Sequence, residues 1–276
     1  MPIPKLVSEF KQSETWQRLA TMNLTFTVTS GRSGTKLLTV LLQESLKIAA
    51  DHEPHPRANF ELRGTIENPE RGMKWLVEEK LPYIATNIPQ NRYAETSHIY
   101  CKGFIELFEA LGLNTRYIIL RRDPKSVARS LYQMKCVPER TEAGRLVLIG
   151  PSDPGVLPLP DWQAYSEYQL CYWYAREIER RQNHYASQFA ASGIPFHDLH
   201  MEDLLDWSKF ERLCAFLNTN GSQRAPDFER FKAVTAQNQN PRNVAHEGNV
   251  DVVLPADIDD QEALLDRAIN LTSARA

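Results

Sequence analysis

A glycine-rich turn that carries an arginine lies near the start of the chain, between an apolar strand pattern and an apolar helix pattern. Within residues 24–48, apolar residues alternate with threonines up to Thr29 and recur at helical spacing from Leu37, and SGRSGT occupies positions 30–35 between them. Backbone N–H groups in such a turn, together with the N-terminus of the helix, bind anions. The sequence therefore predicts a strand, an anion-binding turn and a helix.

The turn differs from a Walker A loop, in which Lys and then Ser or Thr directly follow the second glycine and hold phosphates and Mg²⁺. Here Thr35 follows Gly34, Lys36 comes one position later, and Arg32 stands inside the turn. A guanidinium is a fixed fork for a phosphate or sulfate, and the hydroxyls of Ser33 and Thr35 can donate to the same group. The alternative is a turn capped by its own hydroxyls. The predicted oxyanion-binding residues are Gly31, Arg32, Ser33, Gly34, Thr35 and Lys36.

A second strand-to-helix junction that carries cations lies in RYIILRRDPKSVARSLYQ, residues 116–133. Asp123 is a good N-cap and Pro124 a good first helical residue, so the strand passes directly into a helix. Arg122 stands just before the cap and Ser130 lies two turns into the helix, where the pair can hold a second phosphate. The alternative is that the cations Arg121, Arg122, Lys125 and Arg129 form the solvated side of an amphipathic helix.

Titratable side chains are dense in ADHEPHP, residues 50–56, where two prolines enforce an extended path. His52, Glu53 and His55 are candidate general bases, with a metal pair or a solvated loop as alternatives. His197 and His200 repeat the His-x-x-His spacing, but no carboxylate-rich or cysteine-rich ligand set accompanies them. We therefore expect no metal in the site.

Strand patterns alternate with helix patterns, which predicts an α/β fold with a central parallel β-sheet flanked by helices. Ligands of such sheets bind beyond the carboxyl ends of the strands. Two later strands are predicted to end near cations. Lys102 lies near the end of the strand predicted at 98–103, and Arg122 lies just beyond the strand predicted at 116–120. A further strand is predicted at 195–199. Helices are predicted at residues 8–20, 73–80, 104–111, 161–191, 201–218 and 259–271.

The composition bounds the class of protein. With 276 residues, 42% of them hydrophobic, the chain can form one domain over 1–276. A formal charge of −3 argues against a surface that grips nucleic acid. Four cysteines without a CxxC pair, no apolar leader and no bilayer-length apolar segment predict a cytoplasmic protein. Residues 137–160 are either a flap over the cleft or a surface insertion, and residues 221–276 are expected to wrap the surface.

Taken together, the two junctions resemble the sulfotransferase superfamily. RSGT at positions 32–35 is similar to the 5′-phosphosulfate loop of the carbohydrate and many bacterial members, where the cytosolic small-molecule enzymes have KSGT. Arg122, with Ser130 eight residues later, matches the 3′-phosphate motif. The resemblance implies a P-loop NTPase-like three-layer sandwich and the donor 3′-phosphoadenosine 5′-phosphosulfate (PAPS), with no metal. It places the sulfate end of the donor at positions 32–35 and the 3′-phosphate at Arg122 and Ser130.

The same resemblance implies catalytic roles. Lys102 occupies the position of the lysine in the family's Lys-x-His segment, but Phe104 replaces the histidine base of the cytosolic enzymes. Glu53-Pro54 is similar to the Glu-Pro that substitutes in carbohydrate-type members, so Glu53 is expected to deprotonate the acceptor hydroxyl. His52 or His55 is the alternative base. Arg32 and Lys102 are expected to stabilise the bridging and leaving oxygens, since sulfuryl transfer depends on positioning and on cations placed where charge accumulates.

The acceptor is expected to be a hydroxyl-bearing carbohydrate, glycolipid or small molecule. Most aromatic residues of the predicted helix 161–191 are expected in the core, with one or two as candidates for the acceptor site. Residues 243–250 weakly resemble the nucleotide-clamping segment of the family. Two competing hypotheses remain: a small-molecule or nucleotide kinase of P-loop fold would bind ATP with magnesium, and a non-catalytic module would bind the bisphosphate nucleotide without turnover.

Overall fold

The centre of the computed structural model, which describes residues 2–218, 225–237 and 252–273, is a sheet of five parallel strands. The strands lie side by side in the order β2-β3-β1-β4-β5. They are β1 Asn23–Val28, β2 Ala49–His52, β3 Arg92–Thr96, β4 Thr115–Arg121 and β5 Phe196–His200. The predicted α/β class with a central parallel sheet is confirmed.

Helices pack on both faces of the sheet. Side chains of a strand alternate between its two faces, and on β4 Tyr117 and Ile119 enter one hydrophobic cluster whereas Ile118 and Leu120 enter the other. The structure is therefore three-layered. The helices are α1 Ile3–Phe10, α2 Glu14–Ala20, α3 Thr35–Glu44, α4 Leu62–Glu67, α5 Pro69–Trp75, α6 Leu81–Asn87, α7 Ile105–Leu111, α8 Pro124–Gln133, α9 Glu142–Val147, α10 Glu167–Ser192, α11 Trp207–Leu217, α12 Phe228–Thr235 and α13 Ile258–Ser273.

Shorter helical turns join these elements. A π-helical turn over Leu76–Lys80 connects α5 to α6, so the predicted helix at 73–80 is part of a longer helical run. Turns of 3₁₀-helix cover Ala58–Phe60, Trp162–Ala164 and Met201–Leu205. Within the described ranges, none of the helices has both the length and the apolar character needed to cross a bilayer.

Three helices begin at side-chain caps, at positions that differ from those predicted from the apolar periodicity. The predicted helix at 8–20 is two helices, because the Ser13 hydroxyl accepts the N–H of Trp16 and begins α2. The helix predicted from 161 begins later, since Ser166 and Gln169 form a capping box at the start of α10. Asp206 caps α11, which leaves residues 201–205 as a 3₁₀ turn. Helices α7 and α13 lie where they were predicted.

The strand predicted at 98–103 is wrong: β3 ends at Thr96 and the chain then turns. The N–H of Ser97 donates to the Thr27 hydroxyl at 2.9 Å, and the N–H of Lys102 donates to the Ile99 carbonyl at 2.9 Å. The ring of Tyr100 packs edge-on against Phe26 at 5.1 Å. The apolar residues of this segment are thus buried from a turn, which sequence alternation did not distinguish from a strand.

Candidate functional site

A cleft of about 760 Å³ lies at the carboxyl edge of the sheet, and the segment that follows each of the five strands contributes to its wall. The turn after β1 supplies Arg32, and the segment after β2 supplies Glu53. His98 follows β3, Arg122 follows β4 and Met201 follows β5. Parallel strands bring their carboxyl ends to one edge, which explains how segments distant in the sequence meet here. The cleft is in the size range of small-molecule sites.

The turn at 30–35 approaches its neighbours so closely that two positions require glycine. Gly31 and Gly34 have φ of +74° and +82°. A Cβ on Gly31 would lie 3.1 Å from the ring of His98, and one on Gly34 would lie 2.8 Å from Met201 Cγ. Arg32 also has a positive φ, +55°, which is uncommon for a residue with a side chain. The turn is thus held in the left-handed conformation typical of anion-binding loops.

The hydroxyl groups of the turn divide between two roles. The Ser30 and Ser33 hydroxyls lie 2.7 Å apart, and that of Ser33 donates to the Gly31 carbonyl at 2.9 Å. Self-capping, the alternative considered for the sequence, therefore describes these two serines. Thr35 and Lys36 instead line the cleft. Ser33 is not among the cleft-lining residues, and its contact with a donor stays a prediction.

The second cationic junction contacts the first. Asp123 caps α8 by accepting the N–H of Ser126 at 2.9 Å, as predicted. Ser130 accepts from Arg32 Nε at 3.1 Å, and the Arg122 guanidinium donates to the Arg32 carbonyl. The structure therefore brings the residues of both predicted phosphate motifs into one wall of the cleft.

Arg121 makes a different contact, although it adjoins Arg122 in the sequence. Its guanidinium binds the Asp198 carboxylate with two N–O distances of 2.7 and 2.8 Å. It is not among the residues that line the cleft. Arg121 is therefore bound to Asp198 and does not belong to a solvated helix surface. Arg121 and Arg122 can be compared by mutation.

Glu53 and His98 form a second wall of the cleft, next to the turn. Glu53 Oε1 lies 3.4 Å from His98 Nε2, and the Asn59 side-chain amide donates to Oε2 at 3.3 Å. On the other side of the ring, Lys102 Nζ lies 2.8 Å from His98 Nδ1 and 2.5 Å from the Val147 carbonyl. When Lys102 is charged, its ammonium can only donate, so His98 Nδ1 accepts from Lys102 and the ring proton sits on Nε2, towards Glu53. Glu53, His98 and Lys102 thus form one row of polar contacts.

Burial shifts the proton affinities of this row. It lowers the pKa of His98 well below its usual value, and the nearby charge of Lys102 adds to the effect. Burial also lowers the pKa of Lys102 to about 7. The pKa of His52 is lowered by burial as well, although Glu53 opposes the shift. His98 is therefore a neutral imidazole that orients the Glu53 carboxylate.

His98 was not predicted from the sequence as a site residue, and Lys102 lies in a different position from the one predicted. Lys102 is 1% exposed and lies behind His98, and it is not among the cleft-lining residues. Its expected contact with the bridging and leaving oxygens stays a prediction. Phe104 is fully buried, with its ring 5.7 Å from that of Trp75. The sequence signal for His98 is its position just beyond the end of a strand. Because a strand was predicted at 98–103, that position was not recognised.

The other candidate histidines differ in position. His52 lines the cleft, and its Nδ1 lies 2.9 Å from the Thr96 carbonyl. His55 is exposed and is not a lining residue. His197 packs beside the Phe216 ring at 5.5 Å. Within the described parts of the chain, no three His, Cys, Asp or Glu side chains form a group that could hold a metal ion.

The segment 137–160 closes one side of the cleft with Val147 and Leu148. It is attached to the body of the protein at several points. Arg63 donates to the Leu148 carbonyl and binds Asp153 at 2.8 Å. Further along, the N–H of Leu157 donates to the buried Glu177 carboxylate at 3.0 Å. The segment is ordered against the cleft, and its action as a flap stays a prediction.

Aromatic residues of α10 do not line the cleft. Tyr168, Trp173 and Tyr174 are fully buried, and Tyr174 donates to the Ser30 carbonyl at 2.8 Å. Tyr174 therefore supports the turn from behind, and the other two rings are part of the core. The segment 243–250, weakly similar to a nucleotide clamp, lies outside the described residues.

No protein-family model and no curated protein sequence matches the chain. Solved structures that match include the sulfotransferase domain from the curacin biosynthetic pathway, at 17% identity and a TM-score of 0.46, covering 92% of this chain and 97% of that one. They also include the sulfotransferase domain from the Synechococcus PCC 7002 olefin synthase, at 16% identity and a TM-score of 0.47, covering 90% and 94%. The chain is similar in fold to sulfotransferase domains.

Proposed function

We propose that the protein is a sulfotransferase that moves the sulfuryl group of PAPS to a hydroxyl of a carbohydrate, glycolipid or small-molecule acceptor. One observation carries the proposal: the cationic, glycine-containing turn and a carboxylate in contact with an imidazole line a single cleft. The first feature suits a phosphosulfate and the second suits removal of a hydroxyl proton. Either feature alone would fit many other functions.

The donor side of the site fits a nucleotide that carries two anionic groups. Positions 31–36 would hold the phosphosulfate, with the helix N-terminus at Thr35 adding its dipole. Arg122 and Ser130 would hold the 3′-phosphate. The Arg32–Ser130 hydrogen bond of 3.1 Å keeps the two anion sites adjacent, as the two ends of one nucleotide require. When bound, PAPS supplies the sulfuryl group that is transferred.

On the acceptor side, Glu53 would take the hydroxyl proton as the acceptor oxygen bonds to sulfur, while the bond from sulfur to the bridging phosphate oxygen breaks and adenosine 3′,5′-bisphosphate leaves. His98 contacts Glu53 Oε1 through Nε2 at 3.4 Å and so orients the carboxylate for the substrate. Lys102 fixes the tautomer of His98 from behind. Asn59 donates to the other side of the carboxylate at 3.3 Å. Held between these donors, the base needs little reorganisation during the reaction.

The remaining features of the proposal concern the whole chain. Residues 1–276 would form a single catalytic domain, with 137–160 as a flap. Of the segment 221–276, expected to wrap the surface, α12 packs on α3 and α13 packs on α10, whereas residues 221–224, 238–251 and 274–276 lie outside the described residues. The four cysteines are free and buried, which supports a reducing, cytoplasmic location. Neither a nucleic acid nor a metal takes part in the proposed reaction.

Calorimetric titration tests the donor. Adenosine 3′,5′-bisphosphate and, separately, ATP with magnesium would be titrated into the wild type, Arg122→Ala and Arg121→Ala. We expect micromolar bisphosphate binding that Arg122→Ala abolishes, with ATP much weaker. Arg121→Ala is the matched control, because Arg121 binds Asp198 outside the cleft and its loss should leave the affinity unchanged.

The outcomes separate the competing hypotheses. A clear preference for magnesium ATP would replace the sulfotransferase proposal with the kinase hypothesis. Bisphosphate binding without release of bisphosphate from PAPS, over a panel of sugars, glycolipids and small alcohols, would favour a non-catalytic module. Turnover with one class of alcohol would support the proposal and identify the acceptor.

A further inference from the structure

A buried lysine anchors the segment that carries Glu53. Lys80, the last residue of the π-helical turn, is 0% exposed. Its ammonium lies 2.8 Å from Glu95 Oε2, 3.1 Å from the Pro56 carbonyl and 3.4 Å from the Pro54 carbonyl. An ammonium has three protons, so these three oxygens satisfy it completely.

The partner carboxylate is equally well satisfied. Glu95, near the end of β3, accepts hydrogen bonds from the hydroxyls of Tyr93, at 3.2 Å, and Tyr100. With Lys80 it therefore has three donors and is 1% exposed. This hydrogen-bond pattern fits a carboxylate opposite an ammonium. A buried ion pair is costly to desolvate and is often no more stable than an apolar pair of the same volume, so stability alone is a weak reason for it.

The backbone between Glu53 and Pro56 has few other ways of being held. The two prolines have no N–H groups, which leaves their carbonyls as the backbone groups that can be bound. Glu53 itself has a φ of +48°, a conformation that costs energy for a residue with a side chain. Lys80 binds the carbonyl next to Glu53 and the carbonyl two residues further on. A π-turn displaces the side chains around it relative to a regular helix, and such turns are frequent at functional sites.

We propose that Lys80, neutralised by Glu95, is a positioning residue that holds Pro54 and Pro56 so that the Glu53 carboxylate lies against His98. The catalytic meaning of this inference rests on the proposed function, in which Glu53 is the base. The structural part does not, because the contact between Glu53 and His98 can be observed without any turnover. Lys80 acts through Glu53 and does not line the cleft.

The test compares the side-chain ¹⁵N NMR signals of His98 in folded variants of the full chain. Glu53→Gln supplies the reference for a His98 ring that has lost its carboxylate. In Lys80→Met/Glu95→Gln, which removes both charges and the donor to the carbonyls, we expect the His98 signals to shift to the Glu53→Gln positions. In Glu95→Gln alone, Lys80 still donates to Pro54 and Pro56, so the wild-type positions should be kept.

Two further variants separate positioning from general destabilisation. Phe189→Leu weakens the core where the Phe189 ring stacks on Tyr117 at 4.5 Å, and it should leave the His98 signals unchanged. If the Met/Gln variant does not fold, Lys80→Gln/Glu95→Gln replaces it. In this variant the glutamine amide at position 80 is one bond too short to reach the carbonyls of Pro54 and Pro56, and we expect the same shift of the His98 signals. Wild-type His98 signals in either folded double variant would overturn the proposal.

Kinetics adds a separate readout. If PAPS turnover is found, the double variant should lower kcat by about 10²-fold, the size of effect that a misplaced catalytic group produces, and leave the Kd of the bisphosphate unchanged. An unchanged kcat together with shifted His98 signals would overturn the catalytic part. If the wild type transfers no sulfuryl group, the proposed function fails and the NMR experiment still decides whether Lys80 positions Glu53.

Discussion

The two walls of the cleft are built in different ways. The donor wall, formed by residues of the 31–36 turn other than Ser33 together with Arg122 and Ser130, uses short motifs at two adjacent strand–helix junctions. The acceptor wall, formed by Glu53 and His98 with Lys102 behind them, depends on side-chain contacts between segments far apart in the chain. An anion site can thus be assembled from local backbone geometry and fixed cations, whereas an oriented base needs tertiary packing.

Substitution of the proposed base should have the largest effect and should separate the two walls. For Glu53→Gln we expect kcat to fall by about 10²- to 10⁴-fold, because the amide cannot accept the hydroxyl proton. The Kd of adenosine 3′,5′-bisphosphate should not change. Steady-state kinetics and calorimetry provide the two measurements.

A matched control for that variant is Glu61→Gln, which makes the same chemical change in a carboxylate that binds Arg71 at 3.3 Å and does not line the cleft. It should retain wild-type turnover. A Glu53→Gln protein that turns over normally would remove Glu53 from the mechanism and turn attention to His52, the other titratable candidate from residues 50–56 in the cleft wall.

The contrast between the walls also explains what could be predicted from the sequence. The turn at 30–35 and the Asp123 cap were predictable because each depends on neighbouring residues. The alternation of strand and helix patterns predicted the parallel sheet, but β2 and β3 were not identified as strands. The donor-site residues were identified in the same way, and their binding role stays a prediction. Lys80 follows two glutamates and precedes a leucine in the sequence, and this context does not indicate that its side chain is buried. His98 was obscured because a turn that buries Tyr100 has the apolar pattern of a strand.

The buried lysine of the acceptor wall should make stability depend on pH. The pKa of Lys102 is about 7 in the folded protein, below the ordinary value of 10.5, chiefly because of burial. Between these values the unfolded chain binds a proton that the folded chain does not, so stability should rise with pH from about 7 and be lowest below it. The contribution is at most about 1.4 kcal/mol per pH unit.

Lys102→Met should remove that part of the slope. Chemical denaturation of the wild type and the variant between pH 7 and pH 10.5 gives the difference between their stability slopes. The contributions of the other titrating groups cancel in that difference. The charged or titratable neighbours of Lys102 are Cys101, Glu53, Cys136 and Arg63, with His98 in contact and the Tyr174 ring 5.1 Å away. Equal slopes would mean that Lys102 keeps its ordinary proton affinity in the folded protein.

On the donor wall, loss of one hydroxyl should weaken nucleotide binding and leave catalysis intact. A hydrogen bond to a charged group contributes about 1.5–3 kcal/mol, so Ser130→Ala should raise the Kd of the bisphosphate by about tenfold or more. Turnover at saturating PAPS should be unchanged. Ser126→Ala on the same helix is the control, since that hydroxyl donates to Asp123 at 2.7 Å and does not line the cleft. A fall in kcat without a change in Kd would contradict the division between the walls.

The smallest expected effect concerns the second contact of the base. Asn59 donates to Glu53 Oε2 at 3.3 Å, which is long for a hydrogen bond, while His98 approaches Oε1 from the other side. Asn59→Ala should therefore lower kcat only about threefold, within the lower range for loss of one neutral donor. The Kd of the bisphosphate should stay constant. An effect as large as that of Glu53→Gln would mean that His98, Lys102 and the Lys80 anchor cannot orient the carboxylate without Asn59. Asn59 would then be the residue that governs the orientation of the base.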